Sequence, residues 1–127
     1  MEILLVEDNP GDVLLIQTVF EQLDVTEINF TSITNGMEAS VYLNQALATP
    51  DLIILDLNLP QKNGFELLSE IRANERFSSI PVVVFTSSNN AADRKAVLSL
   101  GANDYVSKSM DLDEYKKHVV SFLGFVK

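Results

Sequence analysis

The run Leu52-Ile53-Ile54-Leu55, closed by Asp56, decides how this chain is read. Four consecutive aliphatic residues without polar alternation are what a strand covered on both faces shows. Val82-Val83-Val84-Phe85 repeats the pattern and ends on Thr86. Shorter β-branched or aliphatic segments at 3–6, 28–32 and 105–106 bring the strand candidates to five. Apolar residues three and four apart fill the gaps: Val13, Ile16, Phe20 and Leu23 in the first, Leu112, Tyr115, Val119 and Phe122 after the last strand. That spacing predicts amphipathic helices.

Helix boundaries agree. Asn35 with Glu38, and Asn63 with Glu66, each place a capping side chain three residues before an acid, the pattern that satisfies the free amides opening a helix. Asp8 or Asn9 could cap a helix starting at Pro10, and Ser109 reads as the cap of the last helix, with Asp111 and Asp113 in its first turn. Gly101 supplies a left-handed residue after the fourth helix. Strand and helix thus alternate five times, which predicts an α/β domain with a parallel sheet, helices on both faces and right-handed crossovers.

The 127 residues suit one domain over 1–127, and the 46% hydrophobic and 21% charged content is that of a chain that folds. Nine basic against 18 acidic residues give a net charge of −9, which argues against nucleic acid as a direct partner. With no cysteine, disulfides, zinc–thiolate sites and thiol nucleophiles are excluded. The first six residues lack the basic start of a secretory signal, and no run approaches the roughly 18 apolar residues of a membrane span. A cytoplasmic protein without a membrane partner is the expectation.

In a sheet of this kind, ligands bind beyond the carboxyl ends of the strands. There the chain places Glu7 and Asp8, then Asp56, then Thr86 with Ser87 and Ser88, then Lys108. Three carboxylates, hydroxyls and an ammonium at one edge describe a hard-cation site beside a nucleophile, with donors for an incoming anion. Mg²⁺ takes few carboxylates and keeps its other positions for water and phosphate oxygens. Each residue alone also has an ordinary reading: Asp8 as a cap, Thr86 as a β-branched strand residue, Lys108 as a solvated cation, Tyr105 as a half-buried strand aromatic whose hydroxyl meets solvent. Asp56 is different, because an acid ending the most apolar strand carries a desolvation cost unless something binds it. Carboxylates about 4 Å apart repel by roughly 4 kcal/mol at an effective dielectric near 20, so an empty site should be electrostatically strained.

Glu7-Asp8, the segment Asp56-Leu57-Asn58-Leu59-Pro60 followed by Gly64, then Thr86-Ser87, then Lys108, resemble in order and spacing the receiver domain of two-component response regulators. The resemblance covers essentially the whole chain. It implies a (βα)5 doubly wound, flavodoxin-like sheet of strand order 2-1-3-4-5. It also implies Mg²⁺ held by Asp8, Asp56 and the backbone carbonyl of Asn58, with Glu7 reaching it through water. Asp56 would be the phosphoacceptor, Thr86, Ser87 and Lys108 would contact the phosphoryl oxygens, and Tyr105 would be the aromatic switch residue. The function so implied is a single-domain response regulator that takes a phosphoryl group from a sensor histidine kinase and signals through the face formed by the fourth helix, fifth strand and fifth helix. It would assist its own phosphorylation and dephosphorylation without a separate enzymatic domain, and would act by docking on a downstream protein. A shuttle to a histidine phosphotransfer protein is the alternative within the family, and a homodimer through the fourth and fifth helices stays open. The Asn9-Pro10-Gly11-Asp12 opening and Asn58 are similar to stand-alone receivers that partner phytochrome-type or other sensor kinases.

One departure stands out: Ser109 follows Lys108 where the family usually has a proline after a cis peptide, so that bond is either trans or strained. Other classes fit less well. A flavodoxin-like carrier would not set Glu7 and Asp8 against a flavin phosphate. A haloacid-dehalogenase-type phosphatase would place its aspartate on an early strand, with a second aspartate two residues on, where Asn58 stands. His118, beside Lys116 and Lys117, reads as an exposed surface imidazole.

Overall fold

A computed structural model describes residues 1–23, 27–45 and 49–126. Five parallel strands, β1 (Glu2–Val6), β2 (Asn29–Ile33), β3 (Leu52–Leu55), β4 (Val82–Thr86) and β5 (Asp104–Ser107), form one sheet in the order β2-β1-β3-β4-β5. The helices are α1 (Pro10–Gln22), α2 (Gly36–Asn44), α3 (Gly64–Ala73), α4 (Ala91–Ser99) and α5 (Leu112–Phe122). The expected doubly wound architecture is therefore present, with β3 at the centre, where its unbroken apolar run is buried at every position.

Side-chain alternation along the strands sorts the core into two halves. Leu4, Val6, Ile53, Leu55, Val82 and Val84 face α2 and α3, packing with Leu43, Leu67, Leu68, Ile71 and Phe77. Ile3, Leu5, Leu52, Ile54, Val83 and Phe85 face α1 and α5, packing with Ile16, Val19, Phe20, Tyr115, Val119 and Phe122. Each fully buried aliphatic side chain contributes roughly 1.5–3 kcal/mol, so the central strands anchor both layers and hold their carboxyl ends level.

Asn63 and Glu66 form the reciprocal capping pair, whereas at Asn35 the structure shows only the bond from the Glu38 N–H. Asn9, not Asp8, caps α1, accepting from the Gly11 and Asp12 N–H groups at 2.9 and 3.2 Å, with Pro10 at the first turn. Gly101 has φ +105° just past α4, as its position required.

The start of α5 corrects the sequence reading twice. Asp111, not Ser109, is its cap and accepts from the Glu114 N–H at 3.0 Å; Ser109 instead accepts from the Asp111 N–H in the turn before it. Leu112 is half exposed at 51% and does not join the core, because it opens the helix and its side chain falls beyond the sheet. His118 is also not a freely exposed imidazole: it is half-buried, with Nδ1 enclosed and unpartnered and Nε2 4.0 Å from Glu114. It sits three residues after Tyr115, at the margin of the stripe that packs on the sheet.

Candidate active site

The carboxyl ends of β1, β3, β4 and β5 deliver Glu7, Asp8, Asp56, Thr86 and Lys108 to one edge of the sheet, as the sequence order implied. Parallel strands in register make this automatic: Val6 pairs with Leu55, so the residues that follow them, Glu7 and Asp56, emerge side by side. The Asp56 N–H donates to the Val6 carbonyl at 3.0 Å, and the Lys108 N–H to the Thr86 carbonyl at 2.7 Å, fixing both chains just beyond the ladder. The Asp56-to-Gly64 loop is tied down by the Gly64 N–H donating to the Leu57 carbonyl at 3.0 Å. A Cβ at Gly64 would lie 2.4 Å from the Asp56 carbonyl oxygen, which is why only glycine fits there.

Glu7 and Asp56 are buried, at 2% and 5% exposure, and Thr86 is fully buried, while Asp8 stays exposed at the mouth. One carboxylate oxygen from each of Glu7, Asp8 and Asp56 lies within 4.8 Å of the other two. This is the hard, all-oxygen donor set that suits Mg²⁺ or Mn²⁺, ions that take few carboxylates and fill their other positions with water and phosphate oxygens. Asn58 is exposed, and its N–H donates to Asp56 Oδ1 at 3.3 Å, which turns the loop over the carboxylate. Ser87 is exposed next to the cluster.

Lys108 is the counter-ion. Its ammonium lies 3.0 Å from Glu7 Oε2, 3.0 Å from Asp12 Oδ2 and 3.0 Å from Asp56 Oδ2, with 5.9 Å to the centre of the Phe85 ring. The Lys108–Ser109 bond is trans, so a serine after the lysine still delivers the ammonium to the site. Burial and the adjoining Asp56 carboxylate push the Glu7 carboxyl up to about 8, against the pull of Lys108. At Asp56 burial works upward too, but hydrogen bonds from Glu7 and Thr86 and the charge of Lys108 outweigh it and hold the carboxyl below its ordinary range. Burial would lower the Lys108 ammonium; the charges of Asp56 and Glu7 instead raise it. The raised Glu7 carboxyl and the lowered Asp56 carboxyl are the direction in which two neighbouring carboxylates relieve their repulsion.

Two participants escaped the sequence reading. Asp12, from the first turn of α1, supplies the third carboxylate to Lys108, and Tyr115, from α5, donates its hydroxyl to Asp12 Oδ1 at 2.6 Å. Asp12 follows Asp8 by four residues, a spacing that puts it over the same edge, but only the packing of α5 brings Tyr115 to it.

Tyr105 is buried, at 4% exposure, and its hydroxyl donates to the Ser88 carbonyl at 2.8 Å rather than meeting solvent. The Ser88 N–H lies 3.4 Å from Thr86 Oγ1 and the Ser107 hydroxyl donates to the same Ser88 carbonyl at 2.9 Å. One residue, Ser88, therefore touches both Thr86 in the acidic site and Tyr105 below α4. Arg94 of α4 lies with its guanidinium 5.9 Å from the centre of the Tyr105 ring and donates to the Tyr105 carbonyl at 3.0 Å.

Residues 3–120 match the response regulator receiver domain. The chain belongs to that family. It is 38% identical to the response regulator Rcp1 of Synechocystis sp. over 97% of this chain and 86% of that one. It is 36% identical to the transcriptional regulatory protein CiaR of Streptococcus pneumoniae, covering 97% of this chain and 51% of that longer protein. Among solved structures, the Mn²⁺-bound form of Rcp1 superposes with a TM-score of 0.90 at 38% identity, over 98% of this chain and 92% of that one. The phosphorylated cyanobacterial phytochrome response regulator RcpA gives a TM-score of 0.91, with the same identity and coverage. No helix among the described residues is long and apolar enough to cross a membrane.

Proposed function

We propose that this receiver domain takes a phosphoryl group onto Asp56 from a sensor histidine kinase or a histidine phosphotransfer protein and relays the change to a protein partner. The observation that carries this reading is the Asp56 carboxylate itself, buried, clustered with the carboxylates of Glu7 and Asp8 and facing the Lys108 ammonium at 3.0 Å. Asp8 and Asp56, with the main-chain carbonyl of Asn58 and with Glu7 through water, would hold Mg²⁺. When bound there, the cation supplies neutralisation of charge on the transferring phosphoryl oxygens.

An Asp56 oxygen attacks phosphorus, the bond from phosphorus to the donor's imidazole nitrogen breaks, and its electron pair stays on that nitrogen. The chain's own contribution is position and charge. A depressed carboxyl keeps Asp56 ionised as nucleophile; Lys108, a compact cation on a flexible stem, can turn from Asp56 Oδ2 toward the new oxygens. The Thr86 hydroxyl and Ser87 stand on the β4 side to donate to the same group. Attack by water on the acyl phosphate would regenerate Asp56 in the same setting, so the domain assists both directions without being a separate enzyme.

Output follows from the Ser88 link. A Thr86 hydroxyl drawn to a phosphoryl oxygen moves the Ser88 backbone on which the Tyr105 hydroxyl rests, and this biases the equilibrium of the α4, β5 and α5 face. Rcp1 and RcpA, by their names, are a response regulator and a phytochrome response regulator, which favours a photosensory or similar kinase as donor, read by analogy. Relay to a phosphotransfer protein uses the same acyl phosphate, and self-association through α4 and α5 would compete for the same face.

The test is incubation with acetyl phosphate and Mg²⁺ followed by intact mass. A gain of one phosphoryl group in the wild type, absent in Asp56→Asn, is expected. An equal gain in both proteins refutes the assignment.

A further inference from the structure

We propose that Asp12 is a positioning residue for Lys108, and that the Tyr115 hydroxyl holds Asp12 in place for it. The inference rests on the phosphoacceptor reading above and adds to it two residues from outside the strand ends.

An ammonium has three N–H donors, and at Lys108 each faces a different carboxylate: Glu7, Asp12 and Asp56, all at 3.0 Å. Two of these three, Glu7 and Asp56, belong to the cluster that can ligate a cation; Asp12 does not. Occupation of that cluster therefore engages two of the lysine's partners and leaves Asp12 as the one whose hold on Lys108 is undivided. A long, flexible side chain that keeps one fixed partner loses less entropy on taking up a phosphoryl oxygen with its other donors.

Asp12 itself is fixed from behind. Its second oxygen accepts the Tyr115 hydroxyl at 2.6 Å, and the Tyr115 ring, 5% exposed, packs edge-on against Phe85 at 4.9 Å between centres. Phe85 directly precedes Thr86 in β4 and lies under the Lys108 ammonium. Tyr115, Phe85, Asp12 and Lys108 thus form a closed set joining α5, β4, α1 and the end of β5. Burial, then the Asp12 bond, raises the Tyr115 hydroxyl well above its ordinary range, so the hydroxyl keeps its proton for Asp12.

The experiment measures the rate of Asp56 phosphorylation by acetyl phosphate at saturating Mg²⁺, with Mg²⁺ affinity measured separately. Misplacing a reacting group by about 1 Å can cost roughly 100-fold in rate, and a loosened Lys108 is a partial case of that. Tyr115→Phe, which keeps the ring and loses only the hydroxyl, and Asp12→Asn are each expected to slow phosphorylation by about tenfold while changing Mg²⁺ affinity less than about twofold, since Asp12 stands outside the ligating cluster. In a Lys108→Ala background neither substitution should slow it further, a non-additivity that loss of packing would not produce. Wild-type rates in both Tyr115→Phe and Asp12→Asn overturn the proposal while the wild type is still phosphorylated. So does a full tenfold effect that persists without Lys108. A wild type that takes no phosphoryl group at Asp56 refutes instead the reading on which the proposal stands.

Discussion

The ammonium of Lys108, beyond β5, lies 3.0 Å from the carboxylate of Asp56, beyond β3, so the pair spans the intervening strand β4. Both side chains are nearly enclosed, at 8% and 6% exposure, where solvent screens little. Among the described residues, Lys108 is also the single cation paired with Glu7, Asp12 and Asp56. Removing it leaves buried carboxylates without a counter-ion, a change that typically costs about 3–5 kcal/mol. Lys108→Met is therefore expected to lower metal-free stability by about 3 kcal/mol, read from the denaturant midpoint in chelator at neutral pH. An unchanged midpoint would mean that the lysine is not paired in solution.

Removing an anion should do the opposite. Asp56→Asn relieves the repulsion with Glu7 while Lys108 keeps Glu7 and Asp12. We expect the metal-free melting temperature to rise by a few degrees, about what 1 kcal/mol gives in a domain of this size. Mg²⁺ should raise the wild-type melting temperature, since a ligand at 100 times its Kd contributes about 2.7 kcal/mol, and raise that of Asp56→Asn much less. Thermal scans with and without Mg²⁺ check both.

Stability without metal should also depend on pH in a definite direction. The Glu7 carboxyl stands at about 8 when folded, against 4.5 as its ordinary value, so the folded state binds the extra proton between these values. Stability from this group is fully present below about pH 4.5 and is lost as pH rises through about 8. The slope approaches about 1.4 kcal/mol per pH unit at most, and Glu7→Gln should flatten it. Denaturant midpoints in chelator across pH 5 to 8.5 measure this; a wild-type midpoint that does not fall with pH, or falls as much in Glu7→Gln, would contradict a protonated Glu7 in the fold.

Away from the site, Gly36 opens α2 against the loop that leads from Asp56. A Cβ there would fall 1.8 Å from the Lys62 carbonyl oxygen, a backbone atom that cannot step aside. Gly36→Ala should cost about 1–3 kcal/mol, the ordinary range for overpacking. Gly124→Ala, whose Cβ would meet nothing within 4 Å, should be tolerated and serves as the control in the same unfolding assay.

The parts of this molecule legible in its residues are those governed by local pattern. The central strands announce themselves by unbroken apolar runs, and the parallel register then carries Glu7, Asp56, Thr86 and Lys108 to one edge without further information. Where two polar residues compete for one task, pattern fails: Ser109 and Asp111 both suit a helix cap, and the backbone course beyond Lys108 chooses Asp111. The stripe of α5 was legible at Tyr115, Val119 and Phe122 but not at Leu112, whose place on the first turn lies past the sheet it would have covered. Asp12 and Tyr115 come from helices, and their meeting depends on how α1 and α5 pack, which no spacing along the chain specifies.

The most direct measurement is to phosphorylate the protein with acetyl phosphate and Mg²⁺, reduce the acyl phosphate with borohydride, and locate the resulting homoserine by peptide mass. Homoserine at position 56 alone is the predicted result. Homoserine at position 8 or 12, or none in a protein that is folded and has bound Mg²⁺, would contradict the assignment of Asp56 as the phosphoacceptor.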